Sequence, residues 1–364
     1  MTLPQDIEKL MRPELKHLKA YTPIEPTDVL SQRNEIPAEK VIKLDGNENP
    51  YGCSPKVKQA LASYAYYHVY PDPEQRELRK ELGRYTGLSP EYIVAGSGSD
   101  ELIDLILRLF LSPGDKVLNC PPTFGMYTFS TEVCGGEVVN IPRRQDFTAD
   151  IGSIKKALDK QTKVIFIASP NNPSGNLTPE SCFLELLDTN VIVVTDEAYI
   201  EFSGGTMAHL VPRYSNLIVL RTFSKWAGLA GFRAGYGIFP VQIAEYLMKI
   251  KQPYNLNTAA QIAALESLKD IEYLSSTVKM ITGERERLVI ELSQLDWLKI
   301  YPSQANFILC LVLNGKAEEI HQGLQRRGIF VRYFDTPELR HCIRISVGKP
   351  EHTDALIAAL KEIC

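Results

Sequence analysis

The sequence lacks the features that mark several large classes of protein. It has no excess of one charge: 40 basic and 44 acidic residues leave a formal net charge of −4 over 364 residues. The two signs are mixed along the chain, so the clustered basic face that nucleic acid requires is missing and no nucleic-acid partner is expected. No apolar run approaches the ~20 residues of a membrane span. The opening Met1-Thr2-Leu3-Pro4-Gln5-Asp6-Ile7-Glu8 is too polar and too acidic for a signal peptide. A cytoplasmic protein without a membrane partner is therefore expected. The seven cysteines form no Cys-x-x-Cys pair, and no His/Cys group has zinc-ligand spacing. Buried, reduced thiols and no metal site follow from that. Internal repeats and low-complexity tracts are missing too.

What is present is enough apolar material, 44% of residues, for a large core, and a length that suits roughly two domains. Residues 1–38 are rich in Pro, Lys and Glu and read as an arm that folds onto something else. Residues 39–255 alternate short apolar runs with helical stretches. Val117–Cys120, Val164–Ala168, Val191–Val194 and Leu217–Leu220 are apolar on both faces, as strands of a helix-covered sheet should be. An α/β fold with a mostly parallel central sheet follows. From 256 to 364 the texture changes to a long helical region, about 257–295, and shorter strands near Phe307, Ile329 and Ile343. That predicts a smaller α+β domain.

In such sheets the chemistry lies beyond the carboxyl ends of the strands. Ser169-Pro170-Asn171-Asn172-Pro173 follows one apolar run, Thr195-Asp196-Glu197-Ala198-Tyr199 the next, and Arg221-Thr222-Phe223-Ser224-Lys225 a third. An amide, a carboxylate with a phenol, and a hydroxyl with an amine thus arrive at one rim. A phosphorylated pyridine aldehyde needs that set. Its aldehyde needs a lysine amine, and its ring nitrogen a carboxylate that keeps it protonated. Its ring oxygen needs donors, and its phosphate a helix N-terminus and an arginine. Gly96-Ser97-Gly98-Ser99-Asp100-Glu101 precedes a helical pattern and could supply that N-terminus.

Each feature has a plainer explanation when taken singly. A lysine is usually a solvated charge. Asp196 could be a helix cap, Asn171-Asn172-Pro173 a turn, Tyr199 core, and Arg233 a surface ion-pair partner. The glycine segment could be a capped helix start; a dinucleotide fingerprint fits it poorly, because Glu101 stands at the third glycine position. Their conjunction on successive strand ends argues for a cofactor site.

Together these residues resemble the fold-type I aminotransferases, and within them the histidinol-phosphate aminotransferase family, over most of the chain from Arg12-Pro13 to Gly348. The resemblance is carried by Leu44-Asp45-Gly46-Asn47-Glu48-Asn49-Pro50, by Tyr70-Pro71-Asp72, by Cys120-Pro121-Pro122-Thr123-Phe124-Gly125-Met126-Tyr127, and by Ser224-Lys225 with Gly231-Phe232-Arg233-Ala234-Gly235-Tyr236. It implies pyridoxal 5′-phosphate (PLP) as cofactor. Lys225 would be its covalent attachment point and the base that moves the substrate proton. Asp196 would pair with the ring nitrogen, Asn172 and Tyr199 with the ring oxygen, and Phe124 would stack on the ring. Ser99, Asp100, Ser224 and Arg233 would hold the phosphate, joined by Tyr70 reaching into the partner site of a homodimer. Many relatives carry tyrosine where this chain has Phe124, so stacking survives and the hydroxyl's hydrogen bond does not.

The same resemblance implies that Arg344 and Arg332 grip a phosphorylated substrate, since two guanidinium groups suit a dianion better than one. Asn172 would share that contact and Tyr21 would close over it. A solvent-facing strand position also explains Arg344, which alternates with Ile343 and Ile345. The implied reaction is transamination between histidinol phosphate and 2-oxoglutarate, giving imidazole-acetol phosphate and glutamate, in histidine biosynthesis. An aromatic amino-acid aminotransferase or a threonine-phosphate decarboxylase would use the same cofactor residues. A PLP-binding regulatory protein without turnover, or more distantly a nucleotide-dependent dehydrogenase, stands outside that enzyme class.

Overall fold

A computed structural model describes residues 7–363. In chain order its strands are β1 (Ile42–Leu44), β2 (Ile93–Gly96), β3 (Lys116–Asn119), β4 (Glu137–Asn140), β5 (Thr162–Ala168), β6 (Ile192–Asp196), β7 (Leu217–Thr222), β8 (Gly235–Ile238), β9 (Leu298–Ile300), β10 (Phe307–Val312), β11 (Ile329–Tyr333) and β12 (Cys342–Ser346). Seven of them form a sheet in the order β2-β8-β7-β6-β5-β3-β4, and five form a second in the order β1-β11-β12-β10-β9. The four apolar runs expected as strands are β3, β5, β6 and β7, and their pairings are parallel. β8 runs antiparallel to both of its neighbours.

The apolar runs form strands because both faces of this sheet are covered. Along β5, Ile165 and Ile167 enter one core, while Val164, Phe166 and Ala168 enter another on the opposite face. β7 divides in the same way, Leu217 and Val219 against Ile218 and Leu220. A period of two with two apolar faces yields an uninterrupted apolar run. The register then sets the rim: Ala168 lies opposite Asp196, and Asp196 opposite Leu220. The polar segments after β5, β6 and β7 therefore emerge at one level.

The two sheets are interleaved along the chain. β1 falls within the 39–255 span expected for the large domain, yet it pairs in parallel with β11 of the second sheet, Lys43 opposite Phe330. Its three residues are too short a signal to choose between sheets. The helices beyond 255 are shared as well. Ala260, Ala263 and Ala264 of helix Thr258–Leu268, and Leu274 and Ile281 of helix Ile271–Ser293, pack into the large-domain core. Farther along that second helix, Leu288 and Leu292 pack into the core of the smaller sheet. The boundary between cores thus falls inside one helix rather than at 255. Among the described residues, no helix is long and apolar enough to cross a membrane.

A helix common to two cores should couple them. Ile281→Ala and Leu288→Ala each remove a fully buried aliphatic group and should each destabilise by roughly 2–5 kcal/mol. Denaturant unfolding should show one transition that both variants move; two transitions, each shifted by one variant only, would show that the cores unfold separately.

Candidate active site

The rim above β5, β6 and β7 gathers the expected groups. Asp196, the last residue of β6, is 4% exposed. Its Oδ2 accepts a hydrogen bond from the Tyr127 hydroxyl at 2.7 Å, and its Oδ1 accepts from the Ala198 N–H at 3.0 Å. Both partners are neutral. The adjacent acid is different: Glu197 Oε2 lies 3.0 Å from Arg221 Nη2, both side chains buried, and Glu197 also accepts from Thr206 and from the Met207 N–H. Of two consecutive acids, Glu197 is neutralised within the fold and Asp196 is left without a cation. The contact to the Ala198 N–H is a local turn; the short helix that follows, Ile200–Phe202, is not capped by Asp196.

Lys225 follows β7. Its Nζ donates to the Gly46 carbonyl at 3.2 Å and stands 5.9 Å from the centre of the Tyr199 ring. Tyr199 is buried and packs edge-on against Phe307, yet its hydroxyl has a partner, accepting from Asn47 Nδ2 at 3.0 Å. In the loop after β5 the two asparagines divide the labour. Asn171 is fully buried, holds the loop through the Pro122 carbonyl and Ser174 Oγ, and accepts from Thr123. Asn172 instead turns its Oδ1 to Arg344 Nη1 at 2.5 Å.

Helix Gly98–Phe110 starts at the same rim, and Ser99 and Asp100 lie in its first turn, where N–H groups have no partner within the helix. The Arg233 guanidinium covers this end: Nη2 lies 2.8 Å from Asp100 Oδ2, and Nη1 donates to Ser224 Oγ at 3.4 Å. Gly98 has φ +77°, a conformation that favours glycine, and a Cβ there would sit 2.5 Å from the tip of Arg233 at Nη2. Arg233 is therefore an ion-pair partner, as the plain explanation had it, and it is also aimed over a helix N-terminus.

Arg344, in the middle of β12, corrects the surface alternative. It is 5% exposed, and every residue of β12 is buried: Ile343 and Ile345 pack into the core of the second sheet, and Arg344 meets Asn172 of the large domain. Its Nη2 donates to the Asp45 carbonyl, its Nε is buried without a partner, and its guanidinium lies 5.3 Å from the Phe307 ring centre. Arg332 lies directly across from it in the β11·β12 pairing and donates to the Thr22 carbonyl at 3.1 Å. The arm is thus tied to the second sheet. It also reaches the large domain, where Tyr21 sets its edge against Phe124, centroids 6.2 Å apart. Tyr70 is 77% exposed and stacks on Tyr254, ring centres 4.4 Å apart.

Three contributors were not singled out from the sequence. Tyr127 stands three residues after Phe124 and meets its ring edge-on; it stacks on Phe166 and carries its hydroxyl to Asp196. Helical spacing from Phe124 was the available signal. Asn47, with φ +54°, and the Gly46 carbonyl lie in the segment after β1. Adjacent Gly and Asn suggest a left-handed turn, without saying what it faces.

These residues fit a bound PLP by their chemistry. A buried carboxylate with only neutral donors suits a protonated ring nitrogen, and a half-buried amine held only by a carbonyl suits condensation with an aldehyde. Burial displaces the two groups in opposite directions. Desolvation pushes the Asp196 carboxyl up to about 6 from 3.8. Desolvation, helped by the charge of Arg344, brings the Lys225 amine down to about 8 from 10.5. Because Asp196 titrates higher in the fold than in the unfolded chain, its ionised form destabilises the cofactor-free protein above about pH 6, and that penalty is gone below about pH 4. Asp196→Asn should accordingly gain about 3 kcal/mol relative to the parent apoprotein between pH 4 and pH 7, read by denaturant unfolding. A difference that does not vary with pH would show that the carboxylate is ionised without penalty.

Comparison with known proteins agrees with this geometry. The family model for aminotransferase class I and II matches residues 39–360. A histidinol-phosphate aminotransferase of Dehalococcoides mccartyi is 51% identical over 358 residues, 98% of this chain and 99% of that protein. One from Roseiflexus castenholzii is 47% identical over 370 residues, covering 99% of this chain and all of that protein (100%). Among solved structures, the histidinol-phosphate aminotransferase of Sinorhizobium meliloti, in complex with pyridoxal-5′-phosphate, superposes with a TM-score of 0.89 at 27% identity, over 97% of each chain. With an acid, an amine and an anion cradle on three strand ends of the matching fold, the chain belongs to the class I and II aminotransferases, among the histidinol-phosphate aminotransferases.

Proposed function

We propose that this enzyme transfers an amino group between glutamate and imidazole-acetol phosphate, forming histidinol phosphate and 2-oxoglutarate, the transamination of histidine biosynthesis. The observation that carries the substrate assignment is the pair Arg332 and Arg344, opposed on adjacent strands with Arg344 buried beside Asn172. A guanidinium withdrawn from water, with an Nε left unpartnered, is a strong site for an anion. With the half-buried Arg332 across from it, Arg344 suits a phosphate dianion, and the same pair suits the carboxylates of glutamate in the other half-reaction.

PLP, when bound, supplies an aldehyde that takes up the amino group and a heterocycle that accepts electron density from the substrate Cα. The chain's own residues do the rest. Lys225 is the amine that attaches the cofactor, and burial leaves a useful fraction of it neutral near pH 8. The same amine, when free, would move the proton at the substrate Cα. Asp196 holds positive charge at the ring nitrogen, and the Tyr127 hydroxyl fixes the carboxylate's orientation. Tyr199 and Asn172 would serve the ring oxygen, and Phe124 would offer an apolar face for the ring. The first turn of helix Gly98–Phe110, with Ser99, Asp100, Ser224 and Arg233, receives the cofactor phosphate. Tyr21 lies over Phe124 and helps to exclude water.

Tyr70 is held out on the surface beside Tyr254, which supports a homodimer in which it completes the partner's phosphate site. The six described cysteines are free thiols, which supports a reducing compartment such as the cytoplasm.

A substrate panel tests the assignment. With glutamate as donor and ping-pong kinetics, kcat/KM should be higher for imidazole-acetol phosphate than for phenylpyruvate; the reverse order would give the enzyme to aromatic amino acids. Arg344→Ala should lower kcat/KM for the phosphorylated acceptor by roughly 10²–10³-fold, the counterpart of about 3–4 kcal/mol of charge-assisted binding. Lys225→Ala should abolish turnover while still retaining PLP through its phosphate, seen as cofactor that co-elutes but is not fixed to protein by borohydride.

A further inference from the structure

We propose that Asn47, locked by Ser346, is a positioning residue that directs the hydroxyl proton of Tyr199 into the active site. The inference rests on the reading of Tyr199 as a donor to the cofactor ring oxygen, and goes beyond it by saying what makes Tyr199 a donor.

A phenol both donates and accepts, so a tyrosine near a ring oxygen is a donor only if its hydrogen is not taken elsewhere. Asn47 and Ser346 are 1% and 2% exposed, so neither turns to bulk water for a partner. The Asn47 backbone N–H, which can only donate, donates to Ser346 Oγ at 2.8 Å. Ser346 Oγ has one hydrogen and passes it to Asn47 Oδ1 at 2.9 Å. That fixes which end of the carboxamide faces which way. Were the amide reversed, Ser346 Oγ would meet two donors and its own buried hydrogen would lose its acceptor. So Nδ2 faces Tyr199, 3.0 Å from the phenol oxygen. The phenol accepts there, and its hydrogen points elsewhere.

The backbone supports this polarity. Asn47 adopts φ +54°, a left-handed conformation that asparagine tolerates better than most residues. Asn306 Nδ2 holds its carbonyl at 2.9 Å. Its neighbours serve the same site, since the Gly46 carbonyl accepts from Lys225 and the Asp45 carbonyl from Arg344. Ser346 is two residues beyond Arg344 on β12, so the strand that carries the substrate arginine also sets the direction of the phenol.

The test is the pH midpoint of the visible-absorbance transition of the PLP-loaded protein, recorded without substrate. A donor at the ring oxygen lowers that midpoint, so weakening the donor raises it. The charged and titratable groups around the phenol are Arg344, Asp196, Tyr21 and Lys225, and all of them are kept in every variant. Asn47→Ala should raise the midpoint by about half to one pH unit. Asn47→Asp keeps shape and backbone preference but offers only acceptors, so the phenol donates to it and the midpoint should rise by more than one unit. Ser346→Ala, the milder change, frees the carboxamide to turn and should shift the midpoint in the same direction. Tyr199→Phe is the reference for complete loss of the donor. If Tyr199→Phe shifts the midpoint while folded Asn47 and Ser346 variants titrate like the parent, the positioning role is wrong and Tyr199 keeps its own. If Tyr199→Phe leaves the midpoint unmoved, Tyr199 is no donor and both readings fall.

Discussion

The structure turns on two charged groups drawn away from water without their complements, Asp196 buried and Lys225 half-buried. Asp196 ends one strand and Lys225 follows the next, and neither has an ion partner of opposite sign. Folding would ordinarily remove such groups from the interior or pair them, as it pairs Glu197 with Arg221 a residue away. Here the interior keeps both and displaces their protonation in opposite directions. The site is therefore most at ease when something brings a cation to one group and a covalent partner to the other. A protonated heterocycle bearing an aldehyde does both, which is why a pocket unfavourable on its own becomes favourable when loaded.

The sheet makes this constraint tolerable. Parallel strands bury both faces, so β5, β6 and β7 are stiff, and the register that aligns Ala168, Asp196 and Leu220 brings all three following loops to one level. The second sheet adds the anion grip. Because Arg344 bonds both Asn172 above the first sheet and the Asp45 carbonyl beside its own, the arginine proposed to hold the substrate also joins the two halves of the molecule.

The strand ends were legible because each combines a long apolar run with an abrupt polar stop, and both signals are local. Lys225, Asp196 and Asn172 stand on the strand ends that the apolar runs predicted. Burial of Arg344 was not legible: an arginine alternating with isoleucines reads the same whether its face meets water or another domain. Tyr127 and Asn47 were missed for a related reason, since their roles depend on which atom of a distant residue they meet. The membership of β1 escaped the reading because three residues carry too little pattern to say which sheet they join, and the shared helix escaped because its periodicity is the same on either core.

The interleaving of the chain has a consequence for how such an enzyme can be divided. The strand β1 and the helices from Thr258 to Ile281 each belong to the core on the far side of the nominal boundary. A cut at residue 255 would leave one fragment missing an edge strand and the other exposing an apolar helical face. The smaller sheet and the larger one therefore do not separate as independent cassettes along the chain.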